Sequence, residues 1–411
     1  MHYSLAHCDL FDTCRWSKDR SPGEAEVAVL SVKRICIIDP VLTRYNLPVF
    51  LELSRYCRID WIFSPSSAKS GFGSQPRSEA PSLRYIEVPT LKPFGERFGM
   101  FQWGILKYIL REKPDAIRIF ANVRYLSFWT TLLLARLRGI HLYAHGVGFF
   151  KRRRIDLIRR LMMSVALRLV TSYIAYAPIV CESFAAHGFS LDKISLAHNS
   201  LVNPFPVRPE EKTGTERGIL FVGRLRPGSG LGLLLRVLRR LHAEDSFPLT
   251  LHVVGTGEEA TQLRREAAGC SWVTWYGDAD DIQVSTISRD CLFGCYPGNA
   301  GLSVVHLMSL SLPVIIHNDL ASHEGPEPSF VRGGVSGILY DHKSPEESLY
   351  RVLREIAMEP SRIARMQRSA FEEYKSLVNP PYAERLWSIF SGKSTISRRI
   401  FSAALKSQLK H

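Results

Sequence analysis

What the chain lacks sets its first bounds. No apolar run reaches the length needed to cross a bilayer; residues 161–180 come closest, and Arg168 with a scatter of Ser, Thr and Pro interrupts them. Residues 1–32 have no apolar centre of the signal-peptide kind and carry Asp9, Asp12, Lys18 and Asp19, so a disordered extension without chemistry is expected there. The eight cysteines, at positions 8, 14, 36, 57, 181, 270, 291 and 295, are scattered, and no pair has convincing metal-ligand spacing. A reduced core is expected rather than disulfides or structural zinc. The basic residues are not interleaved with aromatics and no nucleic-acid module is present, which argues against a nucleic-acid partner.

What is present is size and positive charge. The 411 residues, 45% hydrophobic and 22% charged, call for two globular domains. A net charge of +14 suits an acidic lipid surface or a polyanionic substrate. The run Lys151–Arg160 (KRRRIDLIRR) sets Lys151, Arg152, Arg153, Arg154, Arg159 and Arg160 against Asp156 alone, with Ile155, Leu157, Ile158, Leu161 and Met162 among and after them. It reads as a helix lying on an anionic membrane, or as a plain solvated face.

Apolar strand-like runs alternate with helical stripes throughout, the pattern of parallel, doubly wound sheets. Helices are expected over residues 100–112 and 151–170, and a strand over 140–144 broken by His145-Gly146-Val147-Gly148. Residues 67–75 read as a Gly/Ser loop, and Asn203–Arg217, rich in Pro and charge, as a linker. The expected division is a first Rossmann-like domain over 33–205, a second over 206–377, a helix over 378–391 returning to the first, and a basic tail over 392–411. A ligand cleft is expected between the two domains.

The organising stretch is residues 291–341. An apolar run (Cys291–Tyr296) breaks at Pro297-Gly298-Asn299-Ala300-Gly301, and a helical stripe (Leu302, Val305, Met308, Leu312) leads to a second apolar run from Pro313. Glycines in such a loop let backbone approach a ligand, and a helix start offers N–H groups to an anion. An ordinary strand-to-helix turn has the same pattern.

Five motifs resemble, in order, the nucleotide-sugar half of retaining GT-B glycosyltransferases of the group 1 family. They are FVGRLRPGSGLGLLL (Phe221–Leu235), VVGTGEE (Val253–Glu259), WYG (Trp275–Gly277), PGNAGLSVVHLMSLSLPVI (Pro297–Ile315) and GVSGILY (Gly334–Tyr340). Within it the chain is similar to the branch reading PGxxGLSxxH and HGPE. In the first half YAHGVG (Tyr143–Gly148) and Tyr45-Asn46-Leu47-Pro48 resemble that branch more loosely.

The resemblance implies a GT-B fold and transfer of a sugar, with retention and without a metal or other cofactor, from a nucleotide-diphosphate sugar to a saccharide or lipid-linked saccharide. It implies surface polysaccharide synthesis in the cytoplasm, peripherally on the inner face of the cell membrane. It places the donor on Gly223, Arg224, Arg226, the loop Gly298, Asn299, Ala300, Gly301, Leu302 and Ser303, and on His306 and Glu327, with Arg224 and His145 as the catalytic pair.

A guanidinium at Arg224 can fork onto a diphosphate, and Arg226 can share the task. The commoner family pattern has two glutamates, and here their positions hold Gly298 and His306. An imidazole at 306 can still bond a ribose hydroxyl or phosphate, unless it is a core histidine. Ser229 stands where the family usually has a second phosphate-binding lysine, and Glu324 is inserted into the HGPE pattern before Glu327. Glu327 reads either as a ligand for donor hydroxyls or as a helix-start Glu, and His145 as an acid/base or a polar turn residue. Gly255 and Gly257 mark a turn near the nucleobase or a plain turn. Asp278 and Asp280 spell DxD but fit helix caps better than a metal site. Two alternatives to transfer stay open: a catalytically silent GT-B scaffold and a sugar-nucleotide epimerase.

Overall fold

The computed structural model describes residues 32–43, 45–65, 81–92, 99–213, 217–244 and 249–393. The extension before Val32, the Gly/Ser loop at 67–75 and the tail from residue 394 lie outside these. The first half runs β1 (Arg34–Val41), α1 (Asn46–Leu53), β2 (Arg58–Ser64), β3 (Leu83–Glu87), β4 (Thr90–Leu91), β5 (Phe101–Gln102) and α2 (Ile105–Glu112). It continues through β6 (Ala116–Phe120), α3 (Leu126–Leu137), β7 (His141–Gly146), α4 (Leu157–Leu169), β8 (Ser172–Ala175), α5 (Pro178–Ala186) and β9 (Ile194–Leu196). Its main sheet is parallel, in the order β3-β2-β1-β6-β7-β8-β9, with β4 and β5 as a separate antiparallel ribbon. Helices cover both faces, which is why β1 and β2 read as nearly unbroken apolar runs.

The second half runs β10 (Gly218–Val222), α6 (Leu231–Glu244), β11 (Thr250–Val254), α7 (Ala260–Glu266), β12 (Val273–Gly277), α8 (Asp281–Ser288) and β13 (Cys291–Cys295). Then come α9 (Ser303–Ser309), β14 (Val314–His317), β15 (Gly337–Tyr340), α10 (Pro345–Ala357), α11 (Pro360–Val378) and α12 (Tyr382–Phe390). The sheet order is β12-β11-β10-β13-β14-β15, again parallel. Strand order reverses between β10 and β13, as it does between β1 and β6 in the first half, and such switch points open a crevice at the carboxyl ends of the strands. The two Rossmann-like halves make a GT-B architecture. From α11 the chain returns, and α12 buries Tyr382, Leu386 and Phe390 in one apolar cluster with Phe50, Leu53 and Trp61 of the first half.

Four local expectations change. The helix expected over 100–112 begins at Ile105, because Gly104 takes a left-handed φ of 106° and the residues before it pair as β5. The basic helix begins at Leu157, capped by the Asp156 carboxylate on the Arg159 N–H, so Lys151–Arg154 form the loop that precedes it. Strand β7 runs on through His145 and Gly146 instead of breaking there. The Pro-rich connection adheres to the second half: Val207 is buried in its core, its N–H donating to Ser309 O at 3.0 Å, and the Asn203 amide reaches Ser309 Oγ at 2.8 Å.

Candidate functional site

A cavity of about 920 Å³ lies between the halves. Its first-half wall is formed by Phe120 at the end of β6 and by residues that follow strands, among them Tyr45 after β1, Arg124 after β6, Lys151 and Arg152 after β7, Tyr176 after β8 and Asn199 after β9. Its second-half wall is formed by Gly223, Arg224 and Arg226 after β10, Asn299 and Gly301–Ser303 after β13, and Glu324–Glu327 after β14.

The second-half wall is a backbone construction. The Gly223 N–H donates to Val254 O at 3.0 Å and the Leu225 N–H to Thr256 O at 2.9 Å, zipping the Arg224 loop against the Gly255 turn. A Cβ on Gly255 would lie 1.9 Å from Gly223 O, so only glycine permits this approach. Loop 297–301 interlocks likewise with residues 228–230: the Gly298 and Asn299 N–H groups donate to Ser229 O and Gly228 O at 3.1 and 2.8 Å. The Ala300 N–H donates to His323 Nδ1 at 3.1 Å. These three N–H groups are therefore engaged within the protein, and Gly298 and Ala300 do not line the cavity. Gly298 serves the loop's packing, and the residues facing the cavity are Asn299, Gly301, Leu302 and Ser303. Ser229 is buried, with its Oγ on the Leu231 N–H, so the position expected for a second cation points into the protein.

Arg224 is exposed and lines both this cavity and a smaller one of about 210 Å³. His306, in α9, lines the smaller cavity with Gly255, Asp278 and Asp281. It is partly exposed, its Nε2 has no hydrogen-bond partner among the described residues, and burial lowers its pKa against the opposing charge of Asp281. The structure thus brings Arg224, the Gly255 turn and His306 together, but sets His306 apart from the main cavity. Gly257 keeps the same turn tight against Leu225 O. Asp280 caps α8 on the Gln283 N–H at 2.8 Å.

Arg226 contacts Asn299 O at 3.4 Å and pairs at 3.0 Å with Glu324, the inserted residue. Glu327 is buried, accepts from Asn199 Nδ2 at 2.6 Å across the two halves, and has its pKa raised by burial. Gly325 makes room for it, since a Cβ there would lie 2.0 Å from Glu327 Oε2.

The first-half wall differs from expectation at His145, which is 2% exposed and lies in β7 beneath the cavity rather than on it. Its Nδ1 meets the Tyr176 hydroxyl and Arg118 Nη2, the latter at 3.3 Å. Its Nε2 lies 3.6 Å from Asp39, which pairs with Arg118 at 3.5 Å and accepts from Trp61 Nε1 at 3.1 Å. Burial, with the Arg118 charge, holds the His145 pKa down to about 4, so the imidazole is neutral at pH 7. Tyr176, not His145, carries this network to the cavity. Tyr45 belongs to the Tyr45-Asn46-Leu47-Pro48 motif noted in the sequence; sequence reasoning missed Tyr176, Asn199 and Arg124, whose one shared signal is a position just beyond an apolar strand run.

Residues 216–357 match the family model described as glycosyl transferases group 1. No curated protein matches the sequence. Among solved structures, Anabaena HepE in complex with UDP superposes with a TM-score of 0.63 at 14% identity, over 87% of this chain and 99% of that one. Sucrose-phosphate synthase from Thermosynechococcus elongatus gives 0.63 at 14%, over 90% and 100%. The lipopolysaccharide outer core galactosyltransferase WaaB in its apo form gives 0.53 at 14%, over 84% and 99%. The chain has the GT-B fold, and residues 216–357 of its second half are similar to the glycosyl transferases group 1 family.

Proposed function

We propose that the protein is a glycosyltransferase, moving a sugar from a nucleotide-diphosphate donor to a hydroxyl of a saccharide or lipid-linked saccharide in surface polysaccharide synthesis. The observation that carries this is the placement of Arg224 at the junction of the two cavities on the group 1 domain. The smaller one, with His306 and the Gly255 turn, takes the nucleoside; the larger takes the sugar and the acceptor. HepE was solved with UDP and with UDP-glucose, which supports a donor of this class.

Transfer breaks the bond between the anomeric carbon and the diphosphate and forms one to the acceptor oxygen, whose proton passes to the leaving phosphate. Arg224 neutralises the charge that grows on that phosphate. Because α9 has only seven residues, its dipole adds little, and Arg224 carries more of the stabilisation than a helix-led loop alone would suggest. Among the described residues that line the large cavity, the carboxylates are Glu324, paired with Arg226, and Glu327, buried on Asn199. Retention by front-side displacement is therefore the proposed course.

No helix among the described residues is long and apolar enough to cross a membrane. Leu157, Ile158 and Leu161 of α4 and Leu133 and Leu137 of α3 are exposed, beside the exposed Arg153, Arg154 and Arg160. This apolar face with a cationic margin suits an anionic membrane. Leu157→Asp with Ile158→Asp should abolish sedimentation with anionic vesicles, and equal binding to neutral vesicles by the wild type would contradict the assignment.

The function is tested by melting the protein with UDP, GDP, ADP and their glucose conjugates. One member should raise the melting temperature by several degrees at a hundredfold excess over its Kd, and sugar should then appear on an acceptor. Binding without turnover would favour the silent scaffold, and conversion of the donor without acceptor the epimerase.

A further inference from the structure

We propose that Tyr176 is a specificity residue for the transferred sugar: its phenol oxygen accepts a hydrogen bond from one hydroxyl of the donor's sugar and offers no proton in return. This rests on the glycosyltransferase reading of the cleft.

The direction of that bond follows from the ring behind it. Arg118 Nη2 lies 3.3 Å from His145 Nδ1, and a guanidinium can only donate, so Nδ1 accepts. At the other end Nε2 faces the Asp39 carboxylate at 3.6 Å, a group that takes protons and gives none. Both ends put the proton of the neutral imidazole on Nε2. The Tyr176 hydroxyl meets the same Nδ1, so it is the donor there. A phenol has one proton, and burial pushes the Tyr176 pKa up, which keeps that proton on the oxygen. With the proton turned to His145, the oxygen has only lone pairs left.

Tyr176 is half-buried and lines the large cavity, and among the described residues no protein group donates to its hydroxyl. An acceptor so placed requires an O–H or N–H from the ligand, which a phosphate, carboxylate or ether oxygen cannot supply. Its neighbours suit a sugar. Phe120 and Tyr45 line the same wall, and the Phe120 ring packs edge to face on the His145 ring at 5.6 Å. Aromatic surface with a few aimed polar atoms is how a pocket orients its ligand.

Position assigns the hydroxyl to the donor. The Asn199 N–H donates to Tyr176 O at 2.9 Å, and the Asn199 side chain crosses to Glu327 of the second half at 2.6 Å. Glu327 borders the loop after β13, since a Cβ on Gly301 would lie 4.0 Å from its Oε2. Tyr176 thus sits where the halves meet, facing that loop. The sugar attached to a diphosphate at Arg224 is the one that spans the gap.

The test is a cycle between one protein oxygen and one ligand hydroxyl, read by calorimetry on the full chain. The ligands are UDP, GDP and ADP with their glucose, galactose and N-acetylglucosamine conjugates. For the tightest conjugate the monodeoxyfluoro analogues are added, in which fluorine replaces one hydroxyl at a time and cannot donate. Tyr176→Phe should bind the bare nucleoside diphosphate as the wild type does and lose about tenfold on the conjugate. One analogue should lose as much on the wild type, and Tyr176→Phe should show no further loss with that analogue. A variant that weakens every analogue alike has only disturbed the fold, and that result overturns the proposal, as does full affinity of Tyr176→Phe for the conjugate. If conjugates bind the wild type no tighter than the bare diphosphates, the proposal fails while the function above stands. If neither binds, that function fails and the proposal falls with it.

Discussion

The two walls of the cleft are built from the same topology by opposite means. The second-half wall is backbone against backbone: Gly223 on Gly255, Gly298 on the 228–230 loop, with few side chains between. The first-half wall rests on buried polar side chains, Asp39, Arg118 and His145, drawn from three strands and surfacing at Tyr176. A wall of interlocked turns is rigid and repeats the shape of a constant ligand. A wall of side chains on loops can change its specificity without changing the fold.

The largest effect should come from breaking the polar network. Asp39→Ala leaves the Arg118 guanidinium, 1% exposed, without its carboxylate, and about 3–5 kcal/mol of stability should be lost in urea unfolding. A loss below about 1 kcal/mol would show that the network is not what supports this wall. The glycine wall should break through geometry. A Cβ on Gly298 would lie 2.0 Å from Gly228 O, so Gly298→Ala should cost about 1–3 kcal/mol and loosen donor binding with it. If that variant kept wild-type stability, the interlock would be looser than it stands here.

How legible each wall was in the sequence follows from how it is made. Glycine turns are contiguous motifs, so Gly223, Gly255 and the 297–301 loop could be placed from the sequence together with the strands that lead into them. The direction of the loop's N–H groups could not, because their acceptors, Ser229 and His323, depend on packing between separate segments. Alternation of strand and helix gave the parallel, doubly wound sheets in the same way, and the resemblance of the ordered motifs gave the GT-B fold. The Asp39–Arg118–His145 network spans more than a hundred residues of sequence and sits within apolar strands, where each member reads as an isolated polar exception. His145 was drawn to the cleft by its Gly neighbour; the strand continues one turn of the pleat further and buries it.

Two histidines make stability depend on pH. His145 of the polar network and His198, which follows β9 and has its Nδ1 2.8 Å from Arg385 Nη1, are each held down to about 4, mainly by burial, against about 6.5 in an unfolded chain. Between those values the unfolded chain binds protons that the folded one refuses, so stability should fall as pH drops from about 6.5 to about 4. Each group contributes up to about 1.4 kcal/mol per pH unit there, and His145→Gln should flatten the slope accordingly. An unchanged slope would mean that His145 titrates normally. The smallest effect is expected at the nucleoside cavity: His306→Leu should weaken nucleotide binding by about 1 kcal/mol and His306→Gln by less. If Leu leaves binding intact and raises stability, His306 is a core residue.

The division of labour between the walls is tested most directly by calorimetry of the nucleoside diphosphate on the wild type, Arg224→Ala and Tyr176→Phe. Arg224→Ala should lose about 1.5–3 kcal/mol of binding, the range for hydrogen bonds to charged groups. Tyr176→Phe should bind as the wild type does. Full affinity in Arg224→Ala, or an equal loss in Tyr176→Phe, would contradict the assignment of the donor to the second-half wall.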